Sequence, residues 1–310
     1  MKKYSNFFIV VLSTIVLLLT FIKKDIVTNT IILSLSLWFN TLVPSMFPMF
    51  VLSDILINYN FIEYIPKKIV SFISKIFNIS KSAVLIIFLS LISGFPSNAR
   101  NIKSAYDKNL ITKNEAEHLL LFNHFANPLF VIQTIGTFFL NNTYYGLIIL
   151  FSHIISNFIV GIIFRKKNIL TNINNNTIKN SCQNFGSILS SSIKKSIDSL
   201  FMVAGTATLF LILSTLITNI FNFNNIISFI IKSILEMTMG LSTLSQININ
   251  NIYKVVISTM IISFGGLSVH MQVISSLEGS DIKYKNYLKG RIYQTIISAI
   301  LALLIMILIK

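Results

Sequence analysis

Long apolar stretches, a shortage of charge, and Gly/Pro interruptions within the apolar stretches together predict the fold class. It is an all-α polytopic membrane protein: two inverted repeats of broken and re-entrant helices, about seven full spans plus two re-entrant segments. Apolar residues make up 54% of the 310-residue chain and charged residues only 11%, with a mean hydropathy of +0.76. A soluble domain carries about 25% charged residues. In lipid every backbone N–H and C=O must be satisfied within the protein, so an interrupted helix needs protein, water or a ligand at the break.

The stretch 91–132 holds the most informative breaks. An apolar run stops at Ser93-Gly94-Phe95-Pro96, a short charged passage follows, and a second apolar run is interrupted over 123–128. Pro96 and Pro128 lack a backbone donor, and Gly94 tolerates dihedrals that other residues avoid. Broken helices near the middle of a bilayer are where transporters place substrate. The stretch therefore reads as half of a solute-binding site.

The net charge of +15 is explained by Lys and Arg on cytoplasmic loops, not by nucleic-acid binding. A single cysteine, Cys182, excludes an intrachain disulfide and a Cys-built metal site. The four histidines have no metal-ligand spacing, and no carboxylate pair or Ser/His/Asp grouping stands out. The expectation is no enzyme, no metal and no cofactor.

Taken in order, Lys2-Lys3 followed by the apolar run 7–22 reads as a first span with its N-terminus inside, since no small-x-small cleavage site follows. Lys23-Lys24 run against the charge rule there. Residues 28–41, with Trp38, read as an interfacial helix, because indole favours the headgroup level. Pro44 and Pro48 mark the start of a span over 45–57. Residues 64–80 place Lys67, Lys68 and Lys75 among Ile and Phe at helical spacing, an amphipathic cytoplasmic surface helix. Residues 82–93 are too few to cross ~30 Å of hydrocarbon and read as re-entrant. Thr112-Lys113-Asn114-Glu115 is a capping box opening a helix that runs to about Leu140, broken at Ala126-Asn127-Pro128. Residues 144–164 span back to Arg165-Lys166-Lys167. Asn-rich 168–184 is a linker, 187–199 a second surface helix, and 200–217 a span. Residues 226–240 are again too short to cross. Residues 253–277 span inward, softened at 263–266; 278–291 form a charged cytoplasmic loop; 292–309 is the last span.

A repeat emerges. Residues 50–57 align with 210–217 at an offset of 160, and 126–132 with 268–274 at an offset of 142. The 18-residue difference is assigned to the charged loop after Gly94. Three crossings per half force opposite orientations, and the lysines give the same orientation independently. The units are 1–40 (N-terminal span and interfacial helix), 41–167 (repeat 1), 168–186 (linker) and 187–310 (repeat 2).

The candidate solute site comprises Ser93, Gly94, Pro96, Ser97, Asn98 and Arg100 around the first break, and Asn123 and Asn127 at the second. Thr238 and Gly240, and then Ser263, Gly266, Ser268, His270 and Gln272, supply the other half. Asn123 and Asn127, four apart, share a helix face and either bond a polar ligand or satisfy carbonyls freed by Pro128. His270 within a span is a functional candidate by default; packing against the other half is the alternative. Glu236 is the coupling candidate, or else sits at the outer surface paired with Lys232. Asp54 is a weaker case of the same kind. Arg100 either meets a carboxylate in bidentate fashion or is a positive-inside anchor.

The segments SGFPSNAR, NHFANPLFVI, ILEMTMG and GGLSVHMQVISSLEGSDI resemble the signature segments of the YlbJ-type sporulation integral membrane proteins, part of the wider nucleoside-recognition, or Gate-domain, group. The resemblance spans about Trp38 to Arg291, with Gly94-Phe95-Pro96 and Asn98-Ala99-Arg100 where related members often have Gly-Tyr-Pro and Gly-Ala-Lys. It implies an integral protein of the bacterial cell membrane, at the outer forespore membrane facing the mother cell. The implied task is moving dipicolinic acid into the developing endospore. The expected partners are dipicolinate or a related small anion and membrane lipid, with no nucleic acid and with homo-oligomer formation left open. The alternatives are a nucleoside permease or a non-transporting structural protein of spore assembly.

Overall fold

The computed structural model describes residues 2–59, 61–165 and 184–309; Cys182 and most of the expected linker lie outside the described residues. Helix α1 (Lys2–Ile22) is followed by α2 (Lys24–Leu37), a π-helical stretch (Trp38–Leu42) and α3 (Val43–Asn58). The last three form one 35-residue helix, Lys24–Asn58, so the expected interfacial helix and separate span are a single element. Pro44 sits in the first turn of α3, and the widened π turn before it removes the need for a donor at that position. Trp38 is correspondingly not a headgroup anchor alone: its Nε1 donates to the Leu200 carbonyl at 3.0 Å and its ring lies against Phe201.

Amphipathic α4 (Lys67–Phe77) ends at left-handed Asn78, and α5 (Lys81–Ser93) leaves it at 98°. Thirteen residues of α5 reach only ~20 Å, which is short of a crossing. Then come α6 (Ser97–Asp107) and α7 (Lys113–Phe122), opened by the expected capping box between Thr112 and Glu115. Irregular backbone over 123–127 leads into a π-helical stretch (Phe130–Phe139) and α8 (Thr143–Ile163).

Helix α9 (Phe185–Ile220) is continuous over 36 residues, so the surface helix and span expected over 187–217 are one. The serines that look like a polar boundary are satisfied inside the helix, with Ser196 donating to the Ser192 carbonyl and Ser199 to that of Lys195, each at 2.7 Å. Next are α10 (Asn225–Leu235), α11 (Met237–Gln246), α12 (Asn251–Phe264) and α13 (Gly266–Ser276). The α10–α11 break falls at extended Glu236, and Gly240, expected to end a re-entrant segment, lies inside α11 against Ser233. Helix α14 (Tyr284–Leu308) begins within the expected charged loop and carries Arg291 fully buried.

Among the described residues five helices are long and apolar enough to cross a membrane, or six if the bent α4–α5 pair is one span, against the seven expected. This is a polytopic, all-helical membrane protein. Gly94 and Glu236 lie 142 positions apart, as do Asn123 and Gly265. Helix α14 packs on α7, α8 and α12, and α9 packs on α2 and α3. Phe95, Ala126, Met237 and Val269, one beside each break, belong to one buried apolar cluster.

Candidate functional site

In the first half the two breaks pair with each other. Phe95 N–H donates to the Phe125 carbonyl at 2.9 Å, and Asn98 Nδ2 donates to the same oxygen at 3.1 Å. Asn127 Nδ2 reaches the Ser93 carbonyl at 3.3 Å while its Oδ1 accepts from Phe130 N–H at 3.1 Å. Asn123 Nδ2 donates to Ser90 Oγ at 2.8 Å. These carboxamides thus satisfy backbone and hydroxyl groups at the breaks, as buried polar groups must. Gly94, at φ +73°, is what lets the two segments touch. Ser97 Oγ, Asn98 Oδ1 and Asn123 Oδ1 are buried without a hydrogen-bond partner among the described residues.

The α10–α11 and α12–α13 breaks also touch each other. Gly265 and Gly266 both have positive φ, and a Cβ on Gly266 would stand 3.0 Å from Met237 N. The α12–α13 break therefore rests on the α10–α11 break. Glu236 caps α11, its Oε2 accepting from Met239 N–H at 2.7 Å. It is 4% exposed, and no ion pair with Lys232 exists among the described residues. The outer-surface alternative for Glu236 is excluded.

Beside the first break and the α10–α11 and α12–α13 breaks lies a cavity of about 10 Å³, room for about one water. It is lined by Phe95 ahead of α6, Glu236, Met237 and Thr238 at the start of α11, and Ser268, Val269 and Gln272 on α13, and is closed by Leu42, Met46, Val203 and Ala207. Helix α11 begins at it and α13 lines it with its first two turns, and helix N-termini carry partial positive charge. Gln272 Nε2 donates to Thr206 Oγ1 at 2.8 Å, but Gln272 Oε1 and Ser268 Oγ have no partner among the described residues.

Several predicted residues lie elsewhere. His270 bridges the Phe264 carbonyl at 2.9 Å and Tyr284 Oη at 2.5 Å, tying the end of α12 to the start of α14. Ser263 Oγ meets His153 Nδ1 at 3.1 Å. Arg100 holds α9 through Ser199 Oγ and the Lys195 carbonyl, and Asp54 holds α9 through Ser192 Oγ at 2.8 Å and Lys195 at 3.2 Å. None of these four lines the cavity.

The sequence reading missed a second polar layer around Arg291. Its Nη2 donates to the Leu121 carbonyl at 3.2 Å and to Asn157 Oδ1 at 3.1 Å. Its Nη1 faces Gln294 Oε1 and, at 3.5 Å, the carbonyls of His124 and Ser263. No acid pairs with it among the described residues. Instead Leu121 and Ser263 lie in the last turns of α7 and α12, whose negative ends favour a cation. His124 links the layers: its Nε2 lies 3.0 Å from Tyr287 Oη, and its ring stacks on cavity-lining Phe95 with centroids 4.7 Å apart. The available signal was Tyr287, Arg291 and Gln294 at helical spacing, continuing the last apolar run backwards into the charged loop.

At the polar end of the molecule, Asp281 accepts from Lys113 Nζ at 2.6 Å and from Tyr106 Oη at 2.8 Å. These bonds hold its carboxyl below the usual range, Lys113 first and Tyr106 second, and the same pairing raises Lys113.

No family model matches the chain, and no solved structure matches it. The chain is similar to the sporulation integral membrane protein YlbJ of Bacillus subtilis (strain 168), at 24% identity over a 309-residue alignment covering 87% of this chain and 75% of that protein. The YlbJ-type resemblance carried by the segments around the four breaks is thereby supported along most of the chain.

Proposed function

We propose that this chain is a sporulation membrane transporter for a small carboxylate anion, dipicolinate, moved into the developing endospore across the outer forespore membrane. One observation carries the reading: Phe95 beside the first break, Glu236 to Thr238 at the start of α11, and Ser268, Val269 and Gln272 of α13 line one small cavity, largely apolar with a few polar groups. Partial positive charge at helix N-termini favours anions. Relatedness to a sporulation integral membrane protein supplies the biological setting. The equal spacing of the paired breaks, Gly94 to Glu236 and Asn123 to Gly265, supports two inverted repeats meeting at the solute site.

The described conformation has room for about one water. Solute passage therefore requires the two pairs of breaks to separate, as when one half rocks against the other. The nucleoside-permease alternative predicts uridine competition. The structural alternative predicts no uptake of either solute.

The test is uptake of labelled dipicolinate into proteoliposomes holding the purified chain. Uptake above empty vesicles that excess uridine leaves unchanged is expected, with several-fold loss on Ser268→Ala plus Gln272→Ala. Uptake equal to empty vesicles overturns the proposal.

A further inference from the structure

Glu236 places a carboxylate at the α11 N-terminus, where the proposed anion site lies. Of the residues that line the cavity it is the only titratable one. Charged and titratable groups on the elements packed around it are directed elsewhere. Lys254 of α12 donates to the Ser245 carbonyl, Lys195 of α9 pairs with Asp54, and His270 of α13 binds Tyr284. Lys194, Asp198 and Tyr253 are exposed, and Lys232 on α10 meets Glu236 only through its backbone carbonyl.

Two buried groups on the cavity wall have open hydrogen-bonding capacity: Ser268 Oγ, 1% exposed, and Oε1 of Gln272, a residue 2% exposed. A hydroxyl donates to a carboxylate, whereas an amide oxygen only accepts. A buried acceptor on a residue lining a site for anions is unfavourable unless a proton also enters. Two carboxylates confined together likewise do not both stay ionised.

Resting on the transport reading above, we propose that Glu236 couples the transporter to protons. With the cavity empty, its carboxylate stands in for the solute at the α11 N-terminus. When a carboxylate solute enters, Glu236 takes one proton from the aqueous side that is open, and the neutral carboxyl donates to an acceptor in the site. The proton leaves with the solute on the other side, so transport is proton–anion symport.

The test is dipicolinate uptake by proteoliposomes with and without an inward proton gradient, alongside a pH-indicator measurement of proton uptake when dipicolinate is added to the detergent-solubilised full chain. The wild type should accumulate dipicolinate several-fold more with the gradient, an excess abolished by a protonophore, and take up about one proton per bound solute. Glu236→Gln should lose both responses, and Glu236→Asp, which keeps a titratable carboxyl, should retain them. Gradient-independent uptake by the wild type, or gradient-driven uptake by Glu236→Gln, overturns the coupling while leaving transport standing. No wild-type uptake under any gradient removes transport and the coupling together.

Discussion

A Cβ built on Gly94 would stand 2.4 Å from the backbone nitrogen of Asn127, so the two breaks of the first half meet backbone to backbone. At φ +73° the position is also strained for any residue with a side chain. Gly94→Ala should cost about 1–3 kcal/mol, read as a clear fall in detergent melting temperature. Gly205→Ala, with nothing within 4 Å of its Cβ, should leave the melting temperature unchanged.

Arg291 is the cation on which the ends of α7 and α12 close. Replacing it with Met leaves the carbonyl oxygens of Leu121 and Ser263 and the Asn157 carboxamide short of a donor. The loss should be about 1–3 kcal/mol for each buried acceptor left unsatisfied, seen as poor recovery and early unfolding in detergent. Arg291→Lys keeps the charge without the planar fork and should lose less. Equal stability of wild type and Arg291→Met would contradict the role given to this residue.

Gly290 sets how closely α14 approaches α7: a Cβ there would lie 1.9 Å from the Leu121 carbonyl oxygen. Gly290→Ala must push the helices apart and disturb the neighbouring Arg291–Leu121 bond. The double variant with Arg291→Met should therefore be less destabilised than the sum of the singles, by roughly 0.5–3 kcal/mol. Strict additivity would separate the two residues.

The Lys113–Asp281–Tyr106 cluster has a pH signature. Folding lowers the Asp281 pKa, so its contribution is full above the unfolded carboxylate value and is lost as pH falls through the lowered folded one. Asp281 is exposed and Lys113 and Tyr106 are half-exposed, so the effect is small and salt-sensitive. Asp281→Asn should melt slightly earlier than wild type at about pH 7, and the difference should vanish by about pH 2 or in high salt. A difference that grows on acidification would reverse the sign.

Three of the breaks were legible because their causes are local: Gly94, Pro96, Pro128 and Gly265 carry their backbone consequences with them, as does the capping box at Thr112, whereas the break at Glu236 has no Gly or Pro of its own and was expected at Gly240. The continuity of α9 was not legible, because serines that bond back to their own helix look in sequence like a polar boundary. Nor was the widened turn that carries the chain from Trp38 into α3. Arg291 was hidden for a different reason. Its partners Leu121 and Asn157 lie more than a hundred residues away, and a guanidinium held by carbonyls and carboxamides has no paired acid to announce it. For Glu236 the sequence left two settings open, and only the packing of Gly266 on Met237 buries it.

The central claim is that solute passes where the paired breaks face each other, and thiol labelling at Gln272 tests it most directly. In a Cys182→Ser background, with the chain's single native cysteine removed, Gln272→Cys is treated with a small charged thiol reagent in proteoliposomes. Slow labelling that dipicolinate slows further, several-fold and over the concentration range that saturates uptake, is the predicted result. A labelling rate indifferent to dipicolinate, in protein that still transports it, would contradict the account.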